Sequence, residues 1–134
     1  MKVVLASKNP HKLVEIRKIT EKFGMELVLE SELGVDIEVE ETGTTFEENS
    51  LLKAEAVMKT TGLPALADDS GICVDALGGE PGIYSARYGF DPTLDDFGRL
   101  RLLLKNTEAV PDGKRQAQFV CVISFVTPEG KVIQ

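Results

Sequence analysis

The sequence has no tryptophan, one histidine, two cysteines and few aromatic residues. Each scarcity removes a class of function. A nucleophilic triad needs a histidine with a paired serine or cysteine, and His11 has no second histidine or such pairing in its pattern. Cys73 and Cys121 lie far apart among apolar residues, with no CxxC partner and no nearby histidine. They read as reduced core thiols of a cytoplasmic protein, not as a disulfide or zinc motif. No apolar run approaches the ~18 residues of a membrane span. The run after Met1 and Lys2 is too short for a signal peptide. Bases are outnumbered 15 to 22, for a net charge of −7. A general nucleic-acid binder needs the opposite balance. The acidity still permits a small anion in a locally basic pocket, and it suits a divalent cation. Neither GxGxxG nor a Walker A pattern is present.

What is present suits one domain. A chain of 134 residues can bury roughly two thirds of its unfolded surface. With 28% charged residues and no linker, repeat or biased tract, the composition argues against disorder.

Residues 2–6 read as a buried strand, apolar after Lys2. A polar break follows at Ser7–Lys12. Pro10 in a first turn, a stripe of Leu13, Ile16, Ile19 and Phe23, and Gly24 as a stop predict a helix over 10–23. Glu26–Glu30 reads as the next strand. Residues 36–48 hold six acids and no base, and Thr45 with Glu48 forms a capping box. The helix it opens runs to about Thr61, closed by Gly62 and Pro64. Ala65–Asp68 and Gly71–Val74 read as two short strands. Leu94–Lys105 reads as a third helix with Phe97, Leu100, Leu103 and Leu104 inward. Gln118–Thr127 reads as the longest strand, with a hairpin turn at Pro128–Lys131. Val132–Gln134 then begins a return strand, so the pattern predicts that more of the sheet belongs with this chain.

Four places could carry chemistry. The loop Ser7–Lys12 leads from a strand to a helix N-terminus, where free N–H groups and the dipole favour an anion. Ser7 and Asn9 add donors and Lys12 adds charge, although plain capping is an alternative. Asn49 and Lys53 stand at i and i+4 on one helix face and could reach phosphate oxygens; the alternative is a solvated face. Asp68-Asp69-Ser70-Gly71 places two acids at the end of an apolar strand, where carboxylates hold Mg²⁺ or deprotonate water; the alternative is an Asx turn. Glu40-Glu41-Thr42-Gly43 could complete a metal site or be a solvated acidic loop. His11 reads as an exposed helix-start residue. Together, one anion loop, one Lys/Asn face and two carboxylate clusters suit a polyphosphate with Mg²⁺.

The residues also resemble a known family, the inosine/xanthosine triphosphate pyrophosphatases. The resemblance covers essentially the whole chain. It rests on Ser7-Lys8-Asn9-Pro10-His11-Lys12, the 40–49 segment from Glu40 to Asn49, Ala67–Gly71, Ala76–Gly79 and Pro81–Tyr88, in that order and spacing. It implies a mixed central sheet flanked by helices, in an inosine triphosphatase-like α/β fold with two lobes. It implies hydrolysis of ITP, dITP or XTP to the monophosphate and pyrophosphate. On that resemblance Asp69 is the general base and a Mg²⁺ ligand, and Glu40 is the second ligand with Glu41 its rival. Asp68 orients water or metal. Ser7, Lys8, Asn9, Pro10, His11 and Lys12, with Asn49, Lys53 and Ser70, surround the triphosphate. A homodimer is implied, with Pro81–Tyr88 contributing. Family members run longer, and their C-terminal third carries a Gly-Phe-Gly-Tyr-Asp-Pro segment and a Ser-His-Arg motif that read the base. Neither occurs here. The expectation is a single domain over residues 1–134, cut short at its C-terminus, with an incomplete second lobe.

Overall fold

The computed structural model describes residues 1–134. Five strands and three α-helices follow in chain order: β1 (Lys2–Leu5), α1 (Pro10–Thr20), β2 (Glu26–Leu29), α2 (Phe46–Thr61), β3 (Ala65–Val74), α3 (Asp96–Asn106), β4 (Ala117–Val126) and β5 (Val132–Ile133). They form one mixed sheet in the order β2-β1-β3-β4-β5. β1 runs parallel to β2 and to β3, and β4 is antiparallel to β5. The chain divides into two compact units, residues 1–69 with 122–134, and residues 70–121.

In the first unit, β1 is buried on both faces, as an interior parallel strand requires. Its side chains alternate between two cores. Val3 and Leu5 pack with Leu27, Leu29, Leu66 and Leu13 of α1. Val4 and Ala6 pack with Ala65, Ala67, and Ala54 and Val57 of α2. α1 and α2 therefore cover opposite faces of the sheet.

The local signals in α1 and α2 act as expected. Asn9 caps α1 by accepting from the His11 N–H at 2.9 Å. A short 3₁₀ turn carries the chain from Glu21 to Phe23, and Gly24 closes it in the left-handed region. The helical stripe is shorter than predicted. Leu13 is buried, but Ile19 and Phe23 are 63% and 79% exposed. The capping box at α2 forms by half. Thr45 Oγ1 accepts from the Glu48 N–H, whereas the Glu48 carboxylate accepts from Thr44 N–H at 2.7 Å instead of from Thr45.

Two strand assignments change. The predicted pair Ala65–Asp68 and Gly71–Val74 is one continuous strand, so Asp69 and Ser70 are extended and no Asx turn intervenes. Cys121 is exposed and Cys73 half-buried, so neither is a core thiol. In the second unit α3 starts at Asp96, and Asp95 caps it through the Gly98 N–H. No α3 residue is buried. Phe97, Leu100 and Leu104, expected inward, are exposed. Ser85 Oγ ties this unit's turns to β3, accepting from Ile72 N–H at 3.0 Å and donating to Gly82 O at 2.6 Å.

Candidate active site

The site lies where the loops that follow β1 and β2 meet the middle of β3. Strand parity arranges it. Asp68 follows Leu66 on the α1 face of β3, and Asp69 follows Ala67 on the α2 face. Each adjacent acid meets a lysine from the helix on its own side. Lys12 Nζ of α1 donates to both Asp68 carboxylate oxygens, at 2.9 and 3.1 Å. Lys53 Nζ of α2 lies 3.6 Å from Asp69 Oδ1 and donates to the Asp68 carbonyl at 2.7 Å. It also lies 3.2 Å from Glu41 Oε1. A cavity of about 240 Å³ opens here, lined by Ser7, Lys8, Lys12, Glu41, Lys53 and Asp68 among others.

Burial makes these charges consequential. Asp68 and Asp69 are each 7% exposed. Asp69 Oδ2 is buried without a hydrogen-bond partner. Burial pushes the Asp69 carboxyl above the usual range. Lys53 opposes that rise, and the Glu41 and Asp68 carboxylates reinforce it.

The polar loop Ser7–Lys12 runs from β1 into α1, and its capping contacts leave it further donors. Ser7 Oγ accepts from Asn9 N–H at 3.0 Å, and Asn9 Oδ1 accepts from His11 N–H. The Ser7 hydroxyl proton and the Asn9 amide protons are what these groups can still donate. Pro10 opens α1, and His11 is exposed, as read from the sequence. Lys8 stands apart from Lys12: its Nζ is held by Asp36 at 2.9 Å and Glu38 at 2.6 Å. Those hydrogen bonds push its ammonium further up from the ordinary lysine value.

The Asn49/Lys53 face is not solvated. Lys53 turns into the cavity, but Asn49 is fully buried and its Oδ1 accepts from Gly43 N–H at 2.8 Å. Asn49 thus holds the acidic loop from beneath instead of reaching into the cavity. Glu40 is exposed and does not line the cavity, whereas Glu41 does and sits against Lys53. Exposure alternates over residues 35–41, exposed at the even positions and half-buried at the odd ones, so only one of the two neighbours faces inward. Ser70 is the next residue of β3 and is half-buried.

One residue in the cavity wall escaped the sequence reading. Glu30 follows β2 directly and is 5% exposed. It continues the inward parity of Val28, which packs on the α2-side core. Parity carried one residue past the strand end is the signal that would have found it.

The donor set fits a divalent cation of one kind. No group of three or more His, Cys, Asp or Glu side chains forms a cage. The orphaned Asp69 Oδ2 and the Glu41 carboxylate, both beside Lys53, are instead donors of the kind that a hard divalent cation takes from protein when water and ligand oxygens complete its shell.

A family model described as the Ham1 family matches residues 3–134. The chain belongs to the Ham1 family. Among Ham1-type relatives, it is 51% identical over 125 residues to the dITP/XTP pyrophosphatase of Photorhabdus laumondii, covering 93% of this chain and 62% of that protein. It is 53% identical over 126 residues to the dITP/XTP pyrophosphatase of Yersinia pestis, with the same coverage. The solved structure of the Staphylococcus aureus Ham1 protein superposes with a TM-score of 0.87 at 42% identity, over 99% of this chain and 67% of that one. A nucleoside-triphosphatase / dITP/XTP pyrophosphatase from Mycobacterium abscessus gives 0.85 at 44% identity, over 99% and 69%. The chain spans about 62% of the length of the curated relatives it matches.

Proposed function

We propose that this chain carries the phosphate- and metal-handling part of a pyrophosphatase acting on non-canonical purine nucleoside triphosphates such as ITP, dITP and XTP. The reaction yields the nucleoside monophosphate and pyrophosphate, a cleansing of the cytoplasmic nucleotide pool. The observation that carries the reading is the convergence of Lys12, Lys53, Glu41 and Asp68 on one cavity beside the orphaned carboxylate oxygen of Asp69. The pyrophosphatase names of the relatives support it.

In this reading Lys12 and Lys53 give up their carboxylate contacts to the triphosphate and neutralise the departing pyrophosphate. Ser7, Asn9 and the open N–H groups of the first α1 turn hold the phosphate chain. Asp69 takes a proton from the attacking water, which forms a bond to the α-phosphorus as the bond to the bridging oxygen breaks. Its raised proton affinity makes it a better base than an exposed carboxylate. Asp68, fixed by Lys12, orients that water. Mg²⁺, held by Asp69 and Glu41, would supply charge neutralisation on the phosphate oxygens. The protein acts as a homodimer, to which residues 81–88 contribute.

The test is pyrophosphate release from ITP, dITP, XTP and ATP with Mg²⁺, using the parent and Asp69→Asn. The expected result is faster turnover of the 6-oxopurine substrates, and a loss of about 10²–10⁴-fold in Asp69→Asn. Full activity in that variant would overturn the assignment. A second reading is a module that binds Mg²⁺-triphosphate without turnover, with Lys12 and Lys53 of the cavity as its phosphate contacts. It predicts Mg²⁺-dependent ITP binding with no pyrophosphate release.

A further inference from the structure

Residues 35–43 lead toward α2 with neither helix nor strand. Both ends of the segment are pinned. Val35 N–H donates to the Glu30 carbonyl at 3.0 Å, and Gly43 N–H donates to Asn49 Oδ1 at 2.8 Å. Between the pins lie Asp36, Glu38, Glu40 and Glu41 and no base. Asp36, Glu38 and Glu40 share the exposed face, while Ile37, Val39 and Glu41 are half-buried on the other. Ile37 packs against the core that holds Ala54 and Val57, and Val39 and Glu41 line the cavity. Carboxylates at alternate positions on one face repel one another, and this segment has no strand ladder to oppose them.

The cations come from elsewhere in the chain, one on each face. Lys53 Nζ of α2 meets Glu41 on the inside at 3.2 Å. Lys8 Nζ, from the loop after β1, meets Asp36 at 2.9 Å and Glu38 at 2.6 Å on the outside. Asp36 and Glu38 are 86% and 93% exposed, and ion pairs so open add little to global stability. What they decide is local, namely which conformation an irregular segment keeps. We propose that Lys8 is a positioning residue: by clasping Asp36 and Glu38 it holds the segment so that Glu41 stays turned toward Lys53 and Asp69. This rests on Glu41 and Asp69 being the donors for a divalent cation. Released from the clasp, the segment spends part of its time with Glu41 turned elsewhere, and cation affinity falls in proportion to the competent fraction.

The sign of one measurement separates positioning from plain electrostatics. Removing a positive charge near a cation site tightens Mg²⁺ binding by Coulomb's law alone, whereas losing the clasp weakens it. The test is calorimetric titration of the metal-free whole chain with Mg²⁺, in the parent, Lys8→Met and Lys8→Arg. The expected result is affinity about threefold weaker in Lys8→Met, for a competent fraction of about one third, and restored in Lys8→Arg. In an Asp36→Asn/Glu38→Gln background the clasp is already open, so Lys8→Met should add nothing. Amide hydrogen exchange over residues 36–42 of the metal-free chain should quicken in Lys8→Met while β1 keeps its protection. Unchanged or tighter Mg²⁺ binding, unaltered exchange, or a loss that Lys8→Arg shares would overturn the proposal. So would a Lys8→Met chain that keeps its Mg²⁺ affinity and loses affinity for inorganic tripolyphosphate, since Lys8 would then be a phosphate contact. Mg²⁺ binding that weakens in Glu41→Gln but not in Lys8→Met refutes this inference alone. A parent that binds no Mg²⁺, or one indifferent to Glu41→Gln, refutes the metal reading and this inference with it.

Discussion

Replacing Lys53 by Met tests the electrostatic design of the cleft. The side chain keeps its stem and loses its ammonium. Lys53 lies 3.2 Å from Glu41 Oε1 and 3.6 Å from Asp69 Oδ1, with the three side chains 18%, 24% and 9% exposed. At an effective dielectric constant of about 20, each contact corresponds to about 5 kcal/mol. The variant no longer desolvates an ammonium, which offsets several kcal/mol. The net loss is about 3 kcal/mol, the low end for removing one partner of a buried pair. For a domain of this size that is a fall in Tm of about 10 °C. The loss depends on pH with a definite sign. Burial raises the folded-state Asp69 carboxyl, and Lys53 holds that rise in check. Without Lys53, burial, Glu41 and Asp68 all push upward. A carboxyl raised on folding contributes stability that is complete below its unfolded value and is lost as pH climbs through the folded one. The deficit of Lys53→Met is therefore larger at pH 8 than at pH 5.5, because Asp69 takes up a proton more readily in the variant. Thermal melts of parent and variant at both pH values, in metal-free buffer, measure it. A deficit equal at both pH values, or larger at the acidic one, would refute the carboxylate coupling. Under the proposed function, kcat/KM falls by about 100-fold or more.

Two further outcomes test the fold around the site. A methyl group at Gly71 would overlap the Gly82 carbonyl and sit 2.5 Å from Ser85 Oγ; since backbone cannot yield cheaply, Gly71→Ala should cost about 3 kcal/mol, and a melt within about 2 °C of the parent would contradict it. Ser50 and Ser124 share a fully buried hydrogen bond of 2.6 Å, with Ser50 donating onward to Glu47 O and Gln134 donating to Ser124. Ser50→Ala strands the Ser124 hydroxyl and should cost about 1–3 kcal/mol, Ser124→Ala about 1, and the double variant less than their sum, as read by denaturant unfolding.

The β1–α1–β2 unit was legible in the sequence because its punctuation is unambiguous: Pro10 opens the helix, Gly24 stops the turn after it, and the strand between is apolar. Gly62 did the same for α2. The break expected at Asp69-Ser70 does not form: polar residues alone read as a turn, whereas Asp68 and Asp69 each find a lysine while the backbone stays extended. The inward stripe of α3 failed for a different reason. Helical spacing says which residues share a face, and only the packing says whether that face is covered. The candidate residues of the cleft were legible as a set. The inward place of Glu41 beside an exposed Glu40, the burial of Asn49 beneath the loop and the place of Glu30 depend on strand parity and on contacts between loops. Single-sequence spacing does not encode these.

The three lysines of the cleft share one trait: each already has carboxylate company, Lys8 with Asp36 and Glu38, Lys12 with Asp68, Lys53 with Glu41 and Asp69. A bare basic patch is neutralised by dissolved counterions, and an arriving anion gains by setting them adrift, which makes its affinity fall steeply with salt. Here the counterions are tethered side chains. They return to their lysines at a local concentration that no dissolved chloride or single phosphate matches. Entry becomes a contest between competing anions, which several linked phosphates can win at several lysines together and a lone ion loses one at a time. The cleft thereby filters out the small anions of its surroundings, and its affinity should respond only shallowly to ionic strength.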